Sequence, residues 1–457
     1  MPRLYRTTED TVPGLLRIRE QLGLFAKSST PIAEANFDDA ADWDFAKAKT
    51  KTETHCFHVY PAMMIAPVAR RLLRMFAKKG TVVLDPFCGS GTVLVEALKE
   101  GLDAWGIDIN PLALLIARAK TMILDVKVLR RHAIKLLDAY NQNLDEIKSK
   151  KNFIAIPDFF NIDYWFKPIV SRQLAFLHER LFSIRDTAIR EFFLVAFSET
   201  VRAASYTRND EFKLFRIPSD ALNDHDPNVG EIFFSKVYRN LHGMAELAGK
   251  VDSHSKIRIL REDTRTKTSI PPSCVNLIVT SPPYGDSRTT VAYGQFSRLS
   301  LQWLGLPWEE AREIDKISLG GLRAVNGNND SHHSRSLRAV VSQITSKDPK
   351  RVLDVVSFYN DLALCLKEIN RVCVKGAISC FVVGNRTVKG IQIPTDAITA
   401  EIAEGLGFKH VKTFHRNIPN KRMPLRNSPS NVVGALGDTM TREHIVILKK
   451  VGEADKN

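Results

Sequence analysis

Thr81-Val82-Val83-Leu84-Asp85-Pro86-Phe87-Cys88-Gly89-Ser90-Gly91-Thr92 is a short apolar run handed through a glycine-rich turn into TVLVEALKE, a helical pattern stopped by Gly101. A second apolar run, AWGID, ends at Asp108. Strand, turn, helix, strand is a βαβ unit, which implies a parallel sheet with right-handed crossovers. Working outward, IRIL from Ile257, VNLIVT from Val275, ISCFVVG from Ile378, HVKTFH from His410 and HIVILKK from His444 bring the strand candidates to seven. No convincing helix joins the last two, so a hairpin is expected there, while Leu353–Val372 and Thr395–Gly405 fit crossover helices. The fold class expected is α/β, a doubly wound, mostly parallel seven-stranded sheet.

The segment from about Lys120 to Ser255 reads largely helical, as in LRRHAIKLLDAYNQNLDEI and REFFLVAFSETVRAA, and forms a large insertion between strands two and three. The chain therefore divides into an N-terminal extension (1–54), the first part of the sheet domain (55–120), the helical insertion (121–255), the second part of the sheet domain (256–450) and a tail (451–457). At 457 residues there is length for one large domain with insertions or for two domains.

A content of 44% hydrophobic and 25% charged residues is that of an ordinary globular protein and excludes wholesale disorder. No charge-free apolar run approaches the roughly 18 residues of a spanning helix, and MPRLYRTTEDTVPG lacks the apolar stretch of a signal peptide; a cytoplasmic location is expected. The six cysteines, Cys56, Cys88, Cys274, Cys365, Cys373 and Cys380, include no C-x-x-C pair, so neither a disulfide framework nor a metal site is expected. A net charge of +14 suits a polyanionic partner. Lys409 to Asn427 holds six Lys or Arg, two His and no acid, and Lys316 to Arg351 sets seven basic residues against only Asp330 and Asp348. Both stretches are rich in loop-forming residues.

Glycines in a turn between strand and helix let the backbone pass close to a ligand, at a helix N-terminus with free N–H groups. Asp108 closes the next strand after the interval expected of a carboxylate accepting from ribose hydroxyls. The turn lacks the G-x-G-x-x-G order of a dinucleotide site, and there is no Walker lysine. Asp85-Pro86-Phe87-Cys88-Gly89-Ser90-Gly91-Thr92 closely resembles the cofactor loop of the S-adenosylmethionine-dependent DNA amino-methyltransferases. Upstream, His58-Val59-Tyr60-Pro61-Ala62-Met63 is similar to the segment that in this family wraps the methionine end of the cofactor, and Glu262-Asp263 matches an acidic contact to the adenine amino group. The resemblance thus implies S-adenosylmethionine as cofactor, held by His58, Tyr60, Pro61, Ala62, the loop from Asp85 to Thr92, Asp108, Ile109 and Asp263.

Thr280-Ser281-Pro282-Pro283-Tyr284-Gly285 follows the apolar strand VNLIVT, where strand ends line a ligand crevice. An exocyclic amino nitrogen is a poor nucleophile because its lone pair is delocalised into the base. A catalyst must accept its two N–H bonds to draw the nitrogen toward tetrahedral geometry. The Ser281 hydroxyl and the Pro282 carbonyl are suited to this, with Pro283 stiffening the turn and Tyr284 stacking on the base. No cysteine nucleophile is needed: Cys88 lies in the cofactor loop and Cys274 precedes the strand. In the family, Ser at the first position is usual for cytosine N4, and Asp or Asn for adenine N6, so Ser281 favours cytosine.

Further along, Gly285 to Gly294 resembles a segment that shapes the base pocket, with Arg288 and Tyr293 as DNA contacts, and Gly384-Asn385 falls at a strand end facing the crevice. The basic stretches 316–351 and 409–427, including Lys421, Arg422 and Arg426, are expected as loops on duplex DNA, with the insertion as a recognition region. Tyr164-Trp165-Phe166 and Ser205-Tyr206-Thr207-Arg208 mix aromatics with a cation, as nucleic-acid contacts do, although a core cluster is the simpler reading of the first. A nuclease reading from Pro157-Asp158 and Glu211-Phe212-Lys213 is rejected for their long separation and helical context. The expectation is a site-specific, nucleoid-associated modification methylase with a cognate restriction endonuclease acting separately. Its alternatives are an adenine-N6 enzyme, an RNA amino-methyltransferase and a DNA-binding protein with an inactive core.

Overall fold

Alternation of buried side chains along each strand sorts the core into two layers. In the computed structural model, which describes residues 11–23, 42–149, 155–209, 211–251, 255–286, 290–323, 334–419, 426–427, 437–438 and 440–451, the strands are β1 (Val82–Asp85), β2 (Asp103–Asp108), β3 (Ile257–Arg261), β4 (Val275–Thr280), β5 (Cys373–Val383), β6 (Phe408–Asn417) and β7 (Arg442–Lys450). Val83, Leu277, Val279, Val382, Ile445 and Ile447 face one apolar layer, and Leu84, Ile278, Phe381, Val446 and Leu448 the other. Period-two alternation with both faces apolar is what a sheet covered by helices on both sides requires.

The strands form one sheet in the order β3-β2-β1-β4-β5-β7-β6. β1 to β5 are parallel, with Leu84 opposite Trp105 and Ile278, and Thr280 opposite Phe381. β7 runs antiparallel to both β5 and β6, so the expected hairpin is present, and its N-terminal end lies beside the C-terminal end of β5, with His444 opposite Val383. β5 begins at Cys373, five residues before the run read from the sequence, because Lys375 and Gly376 interrupt the apolar pattern without ending the pairing.

Helices α1 (Thr11–Gly23), α2 (Ala66–Phe76), α3 (Thr92–Lys99) and α4 (Pro111–Thr121) precede the insertion. Gly91 sits at φ 77°, left-handed backbone that ends the β1 turn and starts α3, and a Cβ there would lie 2.9 Å from that of Ala117. The insertion is α5 (Val126–Gln142), the short α6 (Leu144–Ser149) and α7 (Ile162–Trp165), α8 (Pro168–Phe182), α9 (Thr187–Ala204) and α10 (Val229–Ala248). Phe192, Phe193, Phe197, Phe233 and Phe234 are fully buried there and join α1, α4 and α11 (Tyr293–Trp303) in one apolar cluster. Each such side chain contributes about 1.5–3 kcal/mol by leaving water. The helices therefore form a third layer against the sheet domain. Of the aromatic triplet at the end of α7, Tyr164 is exposed and Phe166, just past the helix, is buried.

A buried ion network ties this layer to the sheet domain. Glu96 of α3 accepts from His55 Nε2 at 2.8 Å, Arg70 Nε at 2.6 Å and Lys99 Nζ at 3.2 Å, and Glu53 accepts from Lys99 at 2.9 Å and Lys250 at 2.7 Å. Burial opposes the Glu96 charge, but His55 and Arg70 hold its carboxyl well below the usual range.

The expected basic loop at 316–351 is largely helical: α12 (Trp308–Ile317) ends in it, and α13 (Arg335–Lys347) and α14 (Pro349–Val372) occupy its second half. Ser334 caps α13, accepting from Leu337 N at 3.0 Å, and Leu337, Val340 and Ile344 bury one stripe. Likewise Lys409 to Asn417 belongs to edge strand β6 rather than a loop. α15 (Thr395–Gly405) is the crossover before it.

Candidate active site

Parallel pairing puts the C-terminal ends of β1, β2, β3 and β4 on one edge, so Asp85, Asp108, Glu262-Asp263 and Ser281 converge from four separate stretches. The Thr280 hydroxyl donates to Asp85 Oδ1 at 2.6 Å across 195 residues of chain. The glycine-rich loop folds back on β2: Cys88 N donates to Ile107 O and Gly89 N to Asp108 Oδ2, both at 2.9 Å, while Asn110 N donates to Asp108 Oδ1 at 2.8 Å. Asn110 caps α4 and donates from Nδ2 to the Tyr60 hydroxyl at 3.1 Å and to Ser297 Oγ at 2.8 Å. Tyr60 in turn stacks on Tyr293, centroids 5.9 Å apart and planes 25° apart.

These parts enclose a cleft of about 920 Å³, its open mouth included, within the roughly 300–1,000 Å³ usual for small-molecule sites. Of the residues singled out in the sequence, Tyr60, Pro61, Ala62, Asp85, Pro86, Phe87, Cys88, Gly89, Ser90, Thr92, Asp108, Ile109, Asp263, Ser281, Pro283 and Tyr293 line it. His58 does not. Its ring is buried 6.1 Å from that of Phe296, on which Tyr60 also packs, and burial pushes its imidazole down to about 4, so it stands behind Tyr60 and outside the lining. Gly91 serves the turn and also stays out of the lining.

Asp263 lines the cleft, but its carboxylate is gripped by Arg265, which reaches Oδ2 at 2.7 Å, Asp361 at 3.0 Å and Ile317 O at 2.6 Å. The sequence reading missed this clamp, together with the lining residues Asn110, Thr264, Arg265, Ile314, Ile317, Ser318, Leu319 and Cys365. Only Asn110 carried a local signal, as a helix N-cap before proline.

Ser281 Oγ has two acceptors for its one proton, Val382 O at 3.1 Å and the Tyr284 oxygen at 3.2 Å. Tyr284 and Pro282 lie beside the cleft rather than in its lining. The Tyr284 ring packs against Gly384, where a Cβ would fall 2.8 Å from Tyr284 Cδ2 and against Met440. Asn385 turns away from the crevice: its Nδ2 donates to Asp396 Oδ1 at 2.9 Å. Beyond the tyrosine, fully buried Asp286 anchors the loop by accepting from Arg351 at 2.8 Å and Arg386 at 2.9 Å.

That anchor corrects the reading of the basic stretches. Arg351 and Arg323 pair with Asp354, Lys316 pairs with Glu313, and Arg416 is buried against Glu443, so part of the positive charge serves the fold. Arg288, Lys421 and Arg422 lie outside the described residues; the Arg426 backbone is in a two-residue strand, in register with that of Asp438.

The cleft's chemistry suits a cationic, hydroxyl-bearing ligand. Burial pushes Asp85 up to about 7, against the Thr280 hydrogen bond, and Asp108 up to about 6, against backbone donors. Each strains toward an added positive charge or donor. Ser90 Oγ is buried without a hydrogen-bond partner among the described residues, in a loop that lines the cleft. The sulfonium and ribose hydroxyls of S-adenosylmethionine are of the kind these groups want. A metal fits less well. Among the described residues, Glu53, His55 and Glu96 bring ligand types together, yet Arg70, Lys99 and Lys250 already neutralise their carboxylates.

A doubly wound sheet with an antiparallel last hairpin, an acid-ended glycine loop after β1 and S-P-P-Y after β4 defines an S-adenosylmethionine-dependent methyltransferase. A family model described as DNA methylase matches residues 30–118. The chain is 40% identical over 422 residues to "Type II methyltransferase M.MvaI" of Kocuria varians, covering 89% of this chain and 93% of that one. It is 22% identical over 462 residues to "Type II methyltransferase M.BsoBI" of Geobacillus stearothermophilus, covering 88% and 87%. A third relative, "Type II methyltransferase M.MjaII" of Methanocaldococcus jannaschii, is 30% identical over 133 residues, covering 27% of this chain and 25% of that one. The chain belongs to the S-adenosylmethionine-dependent DNA amino-methyltransferase family. No helix among the described residues is long and apolar enough to cross a membrane.

Proposed function

We propose that the chain methylates the N4 amino group of cytosine at a short site in duplex DNA, as the modification half of a restriction-modification pair. The observation that carries the choice of base is Ser281, a neutral hydroxyl at the first position of S-P-P-Y, on the cleft wall with its proton directed to Val382 O or Tyr284. Its lone pairs are then left to accept from an amino group, with the Pro282 carbonyl as the second acceptor. When bound, S-adenosylmethionine supplies an electrophilic methyl group. Tyr60, Asp108, Ile109 and the Asp85–Thr92 loop would hold it, with Asp263 at the adenine. Because an amino nitrogen within a duplex is out of reach of this cleft, the target nucleotide is extruded into it, at a cost of about a few kcal/mol. Tyr284 then stacks on the base. Exposed cations of the 316–351 and 409–427 stretches, with Arg288, grip the phosphates, and the helical insertion borders the DNA. No metal takes part, and the partner endonuclease acts separately.

The test is direct. Unmethylated DNA is incubated with the protein and methyl-labelled cofactor, then digested to nucleosides. Label in N4-methylcytosine is the expected outcome. Label only in N6-methyladenine refutes the cytosine assignment, and label taken up by RNA alone refutes the DNA substrate.

A further inference from the structure

The antiparallel hairpin brings a carboxylate to the catalytic edge. Because β7 runs opposite to β5, Glu443 at its start lies at the C-terminal end of β5, one residue beyond the His444–Val383 pair, and Ser281 reaches the carbonyl of Val382 in that same strand. Tyr284 donates to Glu443 Oε1 at 2.9 Å, and Ser281 Oγ lies 3.2 Å from the Tyr284 oxygen. The other carboxylate oxygen of Glu443 is paired with Arg416, which is itself pinned by donating from Nε to Trp43 O at 3.0 Å. The carboxylate therefore cannot rotate away from the tyrosine.

We propose that Glu443 is a positioning residue for methyl transfer: through the Tyr284 hydroxyl it sets Ser281 as a hydrogen-bond acceptor, and it receives the proton that the amino group sheds. The inference rests on the amino-transfer reading of Ser281 and holds for cytosine or adenine alike. A carboxylate can only accept, so Tyr284 must point its proton at Glu443. The tyrosine oxygen is then an acceptor for Ser281, and the serine oxygen an acceptor for the amino N–H. Burial first, and then the adjacent Glu443 carboxylate, push the Tyr284 hydroxyl well above its usual range, so it stays a donor at neutral pH. In transfer, the N–C bond forms on the nitrogen lone pair as the S–CH3 bond breaks and leaves its electron pair on sulfur. The nitrogen, now positively charged, gives one proton to Ser281 as serine passes its own to Tyr284 and tyrosine passes its own to Glu443. Glu443, 16% exposed, later returns that proton to solvent.

Four proteins test this: wild type, Tyr284→Phe, Glu443→Gln and the double variant. Each is assayed for single-turnover transfer to unmethylated DNA at saturating S-adenosylmethionine, with the dissociation constants for cofactor and DNA measured in parallel. Each single substitution is expected to slow transfer by about tenfold or more, with both dissociation constants unchanged, and the double variant to be no slower than the slower single variant. Glu443→Asp should recover part of the loss. Tyr284→Phe, which deletes one oxygen and leaves the ion pair with Arg416 in place, guards against misfolding of the Gln variant. A Tyr284→Phe rate within about twofold of wild type, losses that multiply in the double variant, or losses confined to the dissociation constants would overturn the proposal. The nucleoside labelled by wild type reports separately on the base: methyladenine would refute cytosine and leave the relay to be judged by the rates.

Discussion

Acidifying the solution from about pH 7.5 to about pH 5 should weaken S-adenosylmethionine binding about tenfold through Asp108 alone. Its carboxyl, pushed up to about 6 by burial, offers both oxygens as strong, charged acceptors to ribose hydroxyls only when ionised. If only that form binds, the apparent Kd scales as one plus ten to the power of pKa minus pH, or about 11-fold at about pH 5 and about 1.1-fold at about pH 7. Asp85, pushed up to about 7, adds to the loss and carries it toward neutrality, since a cation in the cleft favours the ionised form of both. The ligand's α-amino group, with a pKa of about 7.7 or above, begins to lose its charge only at the upper end of this window, so it does not cause the loss at acid pH. The sign for folding is opposite. Between the unfolded value of about 3.9 and these raised native values, the native state binds more protons than the unfolded one, so the stability of the free protein falls as pH rises through the window. Titration calorimetry at constant ionic strength measures the first effect, and thermal unfolding with and without cofactor the second. Asp108→Asn should bind more weakly and with a flatter pH profile. A wild-type Kd constant within about twofold across the window would refute the role given to Asp108.

Ser281→Ala should abolish transfer while the cofactor Kd is retained; unchanged turnover would remove Ser281 from the chemistry. Gly384→Ala forces a Cβ to within 2.8 Å of the Tyr284 ring, so transfer should drop at least about tenfold with cofactor binding intact, and a fully active variant would show that the ring can yield. Glu96→Gln removes the charge that Arg70 and Lys99 share beneath α3 and should cost about 3–5 kcal/mol in denaturant unfolding. The folded fraction should keep its specific activity, because Glu96 does not line the cleft.

The sheet and the two catalytic turns were legible because their signals are local: alternating apolar residues, a glycine pair before a helix, a proline pair after a strand. What sequence concealed is what tertiary placement decides. Cys365 and Ile317 reach the cleft from α14 and the end of α12 without any motif of their own. Composition overstated the DNA-facing charge, since a basic residue looks the same whether it meets phosphate or, like Arg351 and Arg416, a buried carboxylate. His58 matched a family segment by position, yet its neighbour Tyr60 took the cleft and left the histidine behind the wall. Glu443 reads in sequence as an ordinary polar start to a strand; only the reversed direction of β7 brings it to Tyr284.

The bond between Thr280 and Asp85 spans 195 residues, and the six helices among the described residues of the insertion are synthesised in that interval. During translation β1 therefore waits with one edge unpaired until β4 emerges, a template for wrong pairing. Closing so long a loop is slow, and the interval shortens only once the insertion has folded on its own apolar cluster. Helices that pack against the sheet domain in the finished protein would first act as the clasp that lets its two halves meet. Refolding yield should accordingly be more sensitive to substitutions at Phe193 or Phe234 than equilibrium stability is, and a proportionate loss in both would argue against that order of events.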